Sequence, residues 1–346
     1  MVRRKWKSKK KKGSGVGRVV LGIFLLSLLA AGGVGWLILA PYGPETETFV
    51  EVAPGSSTAL IGRQLEAAGV VRNQVAFVLL RFWERGTLRA GEYRFDHPAP
   101  ATEVYARIAR GDVFTKALIV PEGANVFDIA ARVEESGFGA RQQFLDAAVE
   151  RAGLVADLDP GAKSLEGYLF PDTYRFSRKT TPAQIATAMV RRFRAVASQL
   201  GLKENVHQVV TIASLVERET AVDSERPLVA SVFINRLGKK MPLMTDPAVI
   251  YGLELEGMWR GALQKNDLAH DTAYNTYLHG GLPPGPVANP GVRSLRAAME
   301  PAETDYFYFV AAGADAQGRS MFSSTLDEHD QQVAEYRRAL KKAGGR

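Results

Sequence analysis

The sequence predicts an α+β fold in three parts: one N-terminal membrane-spanning helix, a small strand-helix-helix-strand subdomain, and a helix-rich domain carrying short strands. Three observations predict it. A 22-residue run without charge follows a basic N-terminus. Short strand patterns then alternate with amphipathic helices across residues 48–110, punctuated by Gly and Pro. Beyond residue 116 the 3.6-residue apolar period dominates and strand-like runs are brief.

Residues 1–18 carry the chain's charge. Of 44 basic residues nine precede the first acid, Glu45, which leaves 35 basic against 37 acidic residues in the rest of the chain. The net charge of +7 therefore belongs to a tail and gives the folded part no basic excess, so no nucleic-acid partner is expected. Residues 19–40 are apolar for roughly 33 Å of helix, enough for a hydrocarbon core. The run exceeds the apolar region of a signal peptide, and Ile38-Leu39-Ala40 lacks the small residue expected three positions before a cleavage site, so the expectation is an uncleaved anchor. Positive flanking charge stays inside, which places residues 1–18 in the cytoplasm and everything after Pro41 outside it. With no cysteine, the exported part relies on packing rather than disulfides.

Residues 41–115 read as a stalk and a small subdomain. After Pro41-Tyr42-Gly43-Pro44 a strand is expected over 48–52, turning at Pro54-Gly55. A helix with Leu60, Ile61, Leu65 and Ala68 on one face stops at Gly69. Asn73 caps a second helix to Trp83, 92–95 is a strand, and Thr102 caps a helix to Arg110. In this order, residues 48–95 resemble a LysM-type glycan-binding module. The pattern returns 68 residues later: Val52, Gly55, Ile61, Leu65, Glu66 and Gly69 correspond to Val120, Gly123, Ile129, Val133, Glu134 and Gly137. Two copies of a small βα unit, or the shared spacing of any strand, turn and amphipathic helix, account for this.

Residues 116–340 form the second domain, and from Ser164 onward its loops gather aromatic, Gly, Pro, Asn and Asp residues. Glu166-Gly167-Tyr168-Leu169-Phe170-Pro171-Asp172-Thr173-Tyr174, Thr245-Asp246-Pro247 and Tyr274-Asn275-Thr276-Tyr277 are the densest. Such loops suit sugar binding, because ring faces stack on aromatics while Asn and Asp meet hydroxyls; half-buried tyrosines in ordinary turns read the same way. A strand is expected over 306–311 and a closing helix over 327–342.

A helix over 206–221 carries the sharpest chemical signal. At about 100° per residue Val209, Ile212, Leu215, Val216 and Val222 share a face with Glu219 near its middle, while Glu217 and Arg218 point to solvent. A carboxyl on an apolar face is poorly solvated, which raises its pKa and keeps it protonated near neutrality, the state a general acid needs. A structural carboxylate held by an arginine fits the same position. A second helix over 226–237 brings Asn235 and Arg236 to its loop end, where Asn235 can polarise an N-acetyl group or cap the helix.

The five histidines form no close pair at helical spacing, no Gly-X-Ser-X-Gly elbow is present, and no Gly-rich loop precedes a helix as in a phosphate site. Acid catalysis by a carboxylate remains, without metal or cofactor.

Ala213-Ser214-Leu215-Val216-Glu217-Arg218-Glu219-Thr220, Ser231-Val232-Phe233-Ile234-Asn235-Arg236-Leu237, Thr245-Asp246-Pro247-Ala248-Val249-Ile250-Tyr251-Gly252, Tyr274-Asn275-Thr276-Tyr277 and Gly281-Leu282-Pro283-Pro284-Gly285-Pro286 closely resemble the endolytic murein transglycosylases, or YceG-like family. The resemblance runs from Val50 to about Arg338. It implies a LysM-like subdomain before a catalytic domain and Glu219 as the catalytic acid. It also implies lytic cleavage between N-acetylmuramic acid and N-acetylglucosamine inside nascent peptidoglycan, and strand termination beside peptidoglycan synthases at the plasma membrane. Loop composition and the shared blocks together nominate Glu166, Tyr168, Asp172, Tyr174, Asn235, Thr245, Asp246, Tyr251, Tyr274, Asn275 and Tyr277 as substrate contacts. A muramidase using Asp246, Glu166 or Asp172 as second carboxylate, and a non-catalytic wall-binding scaffold, are the alternatives.

Overall fold

The computed structural model describes residues 15–84, 86–313 and 318–344, so most of the basic tail expected over 1–18 lies outside the described residues. The chain divides into two compact units, Met1–Thr115 and Lys116–Arg346.

The first unit begins with α1 (Gly15–Leu39), in which Val16–Leu39 is long and apolar enough to cross a membrane. Its side chains are exposed over most of that length, but Val34, Leu37 and Ile38 near its end pack into the unit's core. That core is enclosed by β1 (Thr48–Val52), α2 (Thr58–Ala67), α3 (Gln74–Trp83), β2 (Gly91–Phe95) and α4 (Ala101–Arg110). The strand, helix, helix, strand order expected over 48–95 is present, with β1 antiparallel to β2 and Val50 opposite Tyr93. Asn73 caps α3 as expected, its side chain accepting from the amides of Val75 and Ala76. Two local readings are corrected. Pro100, not Thr102, is the N-cap of α4, because Pro fixes the extended backbone before the first turn. Leu60 is 43% exposed, since it sits about 100° from the buried Ile61 and about 140° from the buried Leu65.

The second unit opens with β3 (Lys116–Ile119), α5 (Val126–Glu135) and α6 (Arg141–Glu150), and β4 (Thr173–Phe176) returns antiparallel to β3. The 68-residue repeat is a repeat of structure. α2 and α5 have the same length and are offset by that number, and Gly69 and Gly137 end them in the left-handed region at φ 68° and 70°. In both, the next amide, Val70 or Phe138, bonds back to Leu65 or Val133, which satisfies carbonyls that the helix end leaves free. The returning strands also agree: Tyr93-Arg94-Phe95 and Tyr174-Arg175-Phe176 pair with Val50 and Leu118 through their tyrosines.

The rest of the second unit is helical: α7 (Pro182–Leu200), α8 (Val206–Glu219), α9 (Arg226–Gly238), α10 (Asp246–Leu255) and α11 (Val292–Met299). A hairpin of β5 (Tyr308–Ala311) and β6 (Ser320–Ser323) and the closing α12 (Leu326–Gly344) complete it. α8 is the central element, contacted by α9, α10 and α11, and Val210 through Val216 are all buried. It is therefore apolar nearly all round, as a helix enclosed on several sides must be. α8 stops at Glu219, two residues before the expected end, because Thr220 turns extended and its hydroxyl accepts from the amide of Val222.

Candidate active site

Glu219 is the last residue of α8, so its side chain leaves the buried stripe where the helix opens into a cleft of ≈ 390 Å³. Phe233 and Leu243 form part of an apolar wall; Thr245, Asp246 and Tyr277 supply a polar one; Arg236, Tyr308 and His329 close the remaining side. One edge is thus built from the C-terminal hairpin and α12, about 100 residues from Glu219 in sequence.

Burial pushes the Glu219 pKa up, and the neighbouring Asp246 adds to the rise. The Thr245 hydroxyl opposes it, donating to Oε1 at 2.6 Å, and the Arg236 and Arg218 charges oppose it more weakly. The net effect is upward, so the proton is retained to higher pH than on an ordinary glutamate. Thr245 is held for this contact. It sits at the N-cap of α10 without capping through its side chain, and its amide donates to Thr276 Oγ1 at 3.0 Å. Met244 before it has a φ of 51°, a left-handed backbone that a methionine adopts at a cost of about 1–3 kcal/mol. Its amide bonds to the Thr276 carbonyl, so the surrounding loop over-determines the conformation.

Arg236 frames the opposite side. Its Nε donates to the Phe307 carbonyl at 2.6 Å, its Nη1 donates to the Leu243 carbonyl at 2.9 Å, and the guanidinium lies over the Tyr308 ring. No carboxylate forms an ion pair with it among the described residues. Burial lowers its pKa, although arginine stays charged at any physiological pH. A cation fastened by main-chain carbonyls therefore borders the cleft without being neutralised.

The nominated contacts separate into two groups. Thr245, Asp246 and Tyr277 join Glu219 in the cleft, with the Tyr277 hydroxyl donating to Asp246 Oδ1 at 2.7 Å. The others lie elsewhere. Glu166 is buried, accepting from the Val126 amide and Asn289 Nδ2, both at 2.8 Å, and burial raises its pKa to about 8. Gly167, at φ 86° and tight against Pro286 and Val210, lets this turn approach α8. Tyr168 is buried with its hydroxyl on Asp159 at 2.6 Å. Asp172 pairs with Arg192, and Tyr174 donates to the Phe170 carbonyl. Tyr251 and Tyr274 pack edge to face, Asn275 spends its amide on the Leu268 and His270 carbonyls, and Asn235 spends its own on those of Thr304 and Tyr306. These eight side chains are not among those that line the cleft.

Glu217 corrects the expectation of a solvated acid. Its side chain is 5% exposed, pairs with the equally buried Arg226 at 2.8 Å, and accepts from the Gly291 amide at 2.9 Å. The sequence reading also missed Tyr308 and His329. The run Tyr306-Phe307-Tyr308-Phe309 is an aromatic signal that could have nominated the former, and nothing local marks the latter.

The chain is similar to known proteins over most of its length. The YceG-like family matches residues 50–335. An endolytic murein transglycosylase of Bacillus subtilis is 32% identical over 322 residues, covering 86% of this chain and 88% of that protein. One of Streptococcus pneumoniae is 31% identical over 365 residues, covering 92% of this chain but only 65% of the relative. The chain thus spans just under two thirds of the streptococcal protein. The crystal structure of a YceG-like protein of Listeria monocytogenes superposes with a TM-score of 0.54 at 31% identity, covering 83% of this chain and 99% of that one. The chain belongs to the YceG-like family.

Proposed function

We propose that the chain is an endolytic peptidoglycan lytic transglycosylase with Glu219 as its catalytic acid. One observation carries this reading: a carboxyl whose pKa is raised by burial, with a hydroxyl at 2.6 Å to receive its charge, at the wall of an aromatic cleft. Relatives named endolytic murein transglycosylase, matched over most of the chain, give the substrate class.

In the first step Glu219 donates its proton to the oxygen between N-acetylmuramic acid and N-acetylglucosamine as that bond breaks. The Thr245 hydroxyl and the Arg236 charge stabilise the carboxylate that results. In the second step this carboxylate takes the proton of the muramic C6 hydroxyl, whose oxygen attacks C1 and leaves a 1,6-anhydro end. Atoms balance without water, and Glu219 regains its proton. The nucleophile belongs to the substrate, so the second carboxylate of a hydrolytic glycosidase is unnecessary.

The remaining assignments complete the proposal. α1 anchors the chain in the plasma membrane as a single pass, with the N-terminus cytoplasmic and the rest outside. Residues 41–115 form a stalk and a LysM-like glycan-binding subdomain, and residues 116–340 the catalytic domain. Cleavage inside nascent strands beside peptidoglycan synthases ends strand growth.

Asp246 gives the hydrolytic alternative a specific foothold, because it shares the cleft with Glu219, whereas Glu166 is buried and Asp172 is paired. Mass spectrometry of muropeptides released from uncrosslinked glycan strands decides between them. Anhydro ends that vanish in Glu219→Gln support the transglycosylase, and reducing ends support the muramidase. Products unchanged by the substitution remove Glu219 from its role.

A further inference from the structure

α3 is apolar on both of its faces. Among its ten residues only Gln74 and Arg81 are polar and none is acidic. Ala76, Phe77 and Leu80 seal the core of the first unit, but the opposite side presents Val75 and Phe82 at 57% and 77% exposure, and Trp83, the last residue of the helix, is 69% exposed. Val75 and Phe82 are seven residues apart and share a face, with Val78 and Leu79 half-buried between them. A water-facing helix carries charge on its outer side, so this face is suited to an apolar covering.

The helix it touches identifies the covering. α3 and α4 both pack against α1 within the same compact unit. The contact is made by the outer end of α1, where Val34, Leu37 and Ile38 enter the core. With a hydrocarbon thickness of about 30 Å and a rise of about 1.5 Å per residue, a span beginning near Val16 leaves the hydrocarbon close to these residues. α3 therefore sits at the height of the outer interface. The joint between α1 and the unit is also stiffened. The Arg72 guanidinium, just before α3, lies between the rings of Trp36 on α1 and Tyr42 beyond it, at 4.2 and 4.6 Å from their centroids. Tyr42 also forms a two-way backbone bridge with Ala99. A tryptophan beside a phenylalanine and a cation is a composition suited to the headgroup boundary.

We propose that α3 lies in the outer interface of the bilayer that α1 spans, with Phe82 and Trp83 inserted among headgroups and upper acyl chains. The first unit is then held on the membrane at two places, not tethered by one helix. This rests on α1 being the membrane anchor, and the test separates the two statements.

The chain has no cysteine, so single cysteines report cleanly. Full-length Trp83→Cys, Leu29→Cys within α1, and Arg63→Cys on the exposed side of α2 are each labelled with an environment-sensitive nitrobenzoxadiazole. The proteins are reconstituted in phosphatidylcholine and phosphatidylglycerol vesicles with and without spin-labelled lipids. The expected result is strong quenching at position 29 by deep labels, at least twofold quenching at position 83 by shallow labels, and none at position 63. Quenching at 29 with none at 83 overturns the docking and leaves the anchor standing. No quenching at 29 removes the anchor and the docking with it. Equal quenching at 83 and 63 reduces the effect to unspecific adsorption and overturns the proposal. Oxidative crosslinking of Trp83→Cys into dimers without lipid quenching assigns the face to a second copy and overturns it as well.

Discussion

Replacing Glu166 by Gln should flatten the pH dependence of stability in the second unit. The carboxyl is buried where the turn before β4, the N-terminus of α5 and the Asn289 loop meet. Its pKa of about 8 stands against an ordinary 4.5, so the fold binds this proton more tightly than the unfolded chain does. The resulting stabilisation is fully present below about 4.5 and is lost as pH rises from there through about 8. At about 1.4 kcal/mol per unit, that interval amounts to about 5 kcal/mol at most. Glu122, Glu219 and Glu254 are also raised by burial, so only the difference between wild type and variant isolates Glu166. Glutamine does not ionise, but it offers one oxygen where the carboxyl accepts an N–H bond on each of two, so the variant carries a cost that does not depend on pH. Relative to wild type it should gain several kcal/mol of stability between pH 5 and pH 9. Urea unfolding read by hydrogen exchange in α5 and α8 measures the gap at each pH. A gap that is the same at pH 5 and pH 9 refutes the assignment of a buried proton to Glu166.

Thr245→Val removes the hydroxyl that donates to Glu219 while keeping the shape of the side chain. The Glu219 pKa rises further, since a hydrogen bond to the charged form is lost, so the alkaline limb of kcat/KM moves to higher pH. A charge-assisted bond of about 1.5–3 kcal/mol sets a fall in kcat on the order of tenfold or more. Steady-state rates across pH test both, and an unmoved limb would leave Thr245 a purely structural part. Glu217→Ala takes the nearest carboxylate from the buried Arg226 and leaves it the longer contact to the half-exposed Asp223, which should destabilise the fold by up to about 3–5 kcal/mol, whereas Glu217→Leu with Arg226→Met should lose less than the single change. Denaturant unfolding of the three proteins gives the comparison, and a double variant worse than the single would contradict it.

The features legible in the sequence are those written within about ten residues. The glycines ending α2 and α5, the Asn73 cap and the strand from Thr48 to Val52 are local devices, and the repeat emerged because both copies use the same ones. The cleft was harder, because loop composition records that a tyrosine or carboxyl has polar work without recording its direction. Tyr168 and Asn275 do that work inside the protein, on Asp159 and on two carbonyls, while Tyr277 does it beside Glu219. His329 was invisible for a different reason, and the aromatic run that marks Tyr308 says nothing of where that ring goes. Both reach the cleft through the placement of a hairpin and helix that no short window encodes.

The Glu217-Arg218-Glu219 run shows why position on a helix underdetermines chemistry. Two residues apart, the acids point about 200° from one another, which invites reading one as buried and the other as solvated. Both sides of α8 are in fact covered, so each carboxyl was assigned its character by what faces it. Glu217 meets Arg226 and the Gly291 amide, two donors that fit a permanent anion, and it ties α8 to α9 and α11. Glu219 meets one hydroxyl, a nearby carboxylate and a guanidinium already committed to carbonyls. That set does not fully satisfy an anion, yet it partly accommodates one. An acid that must release its proton to a leaving oxygen and recover it from a sugar hydroxyl requires this middle condition, for full pairing would abolish the acid and complete isolation would abolish the base.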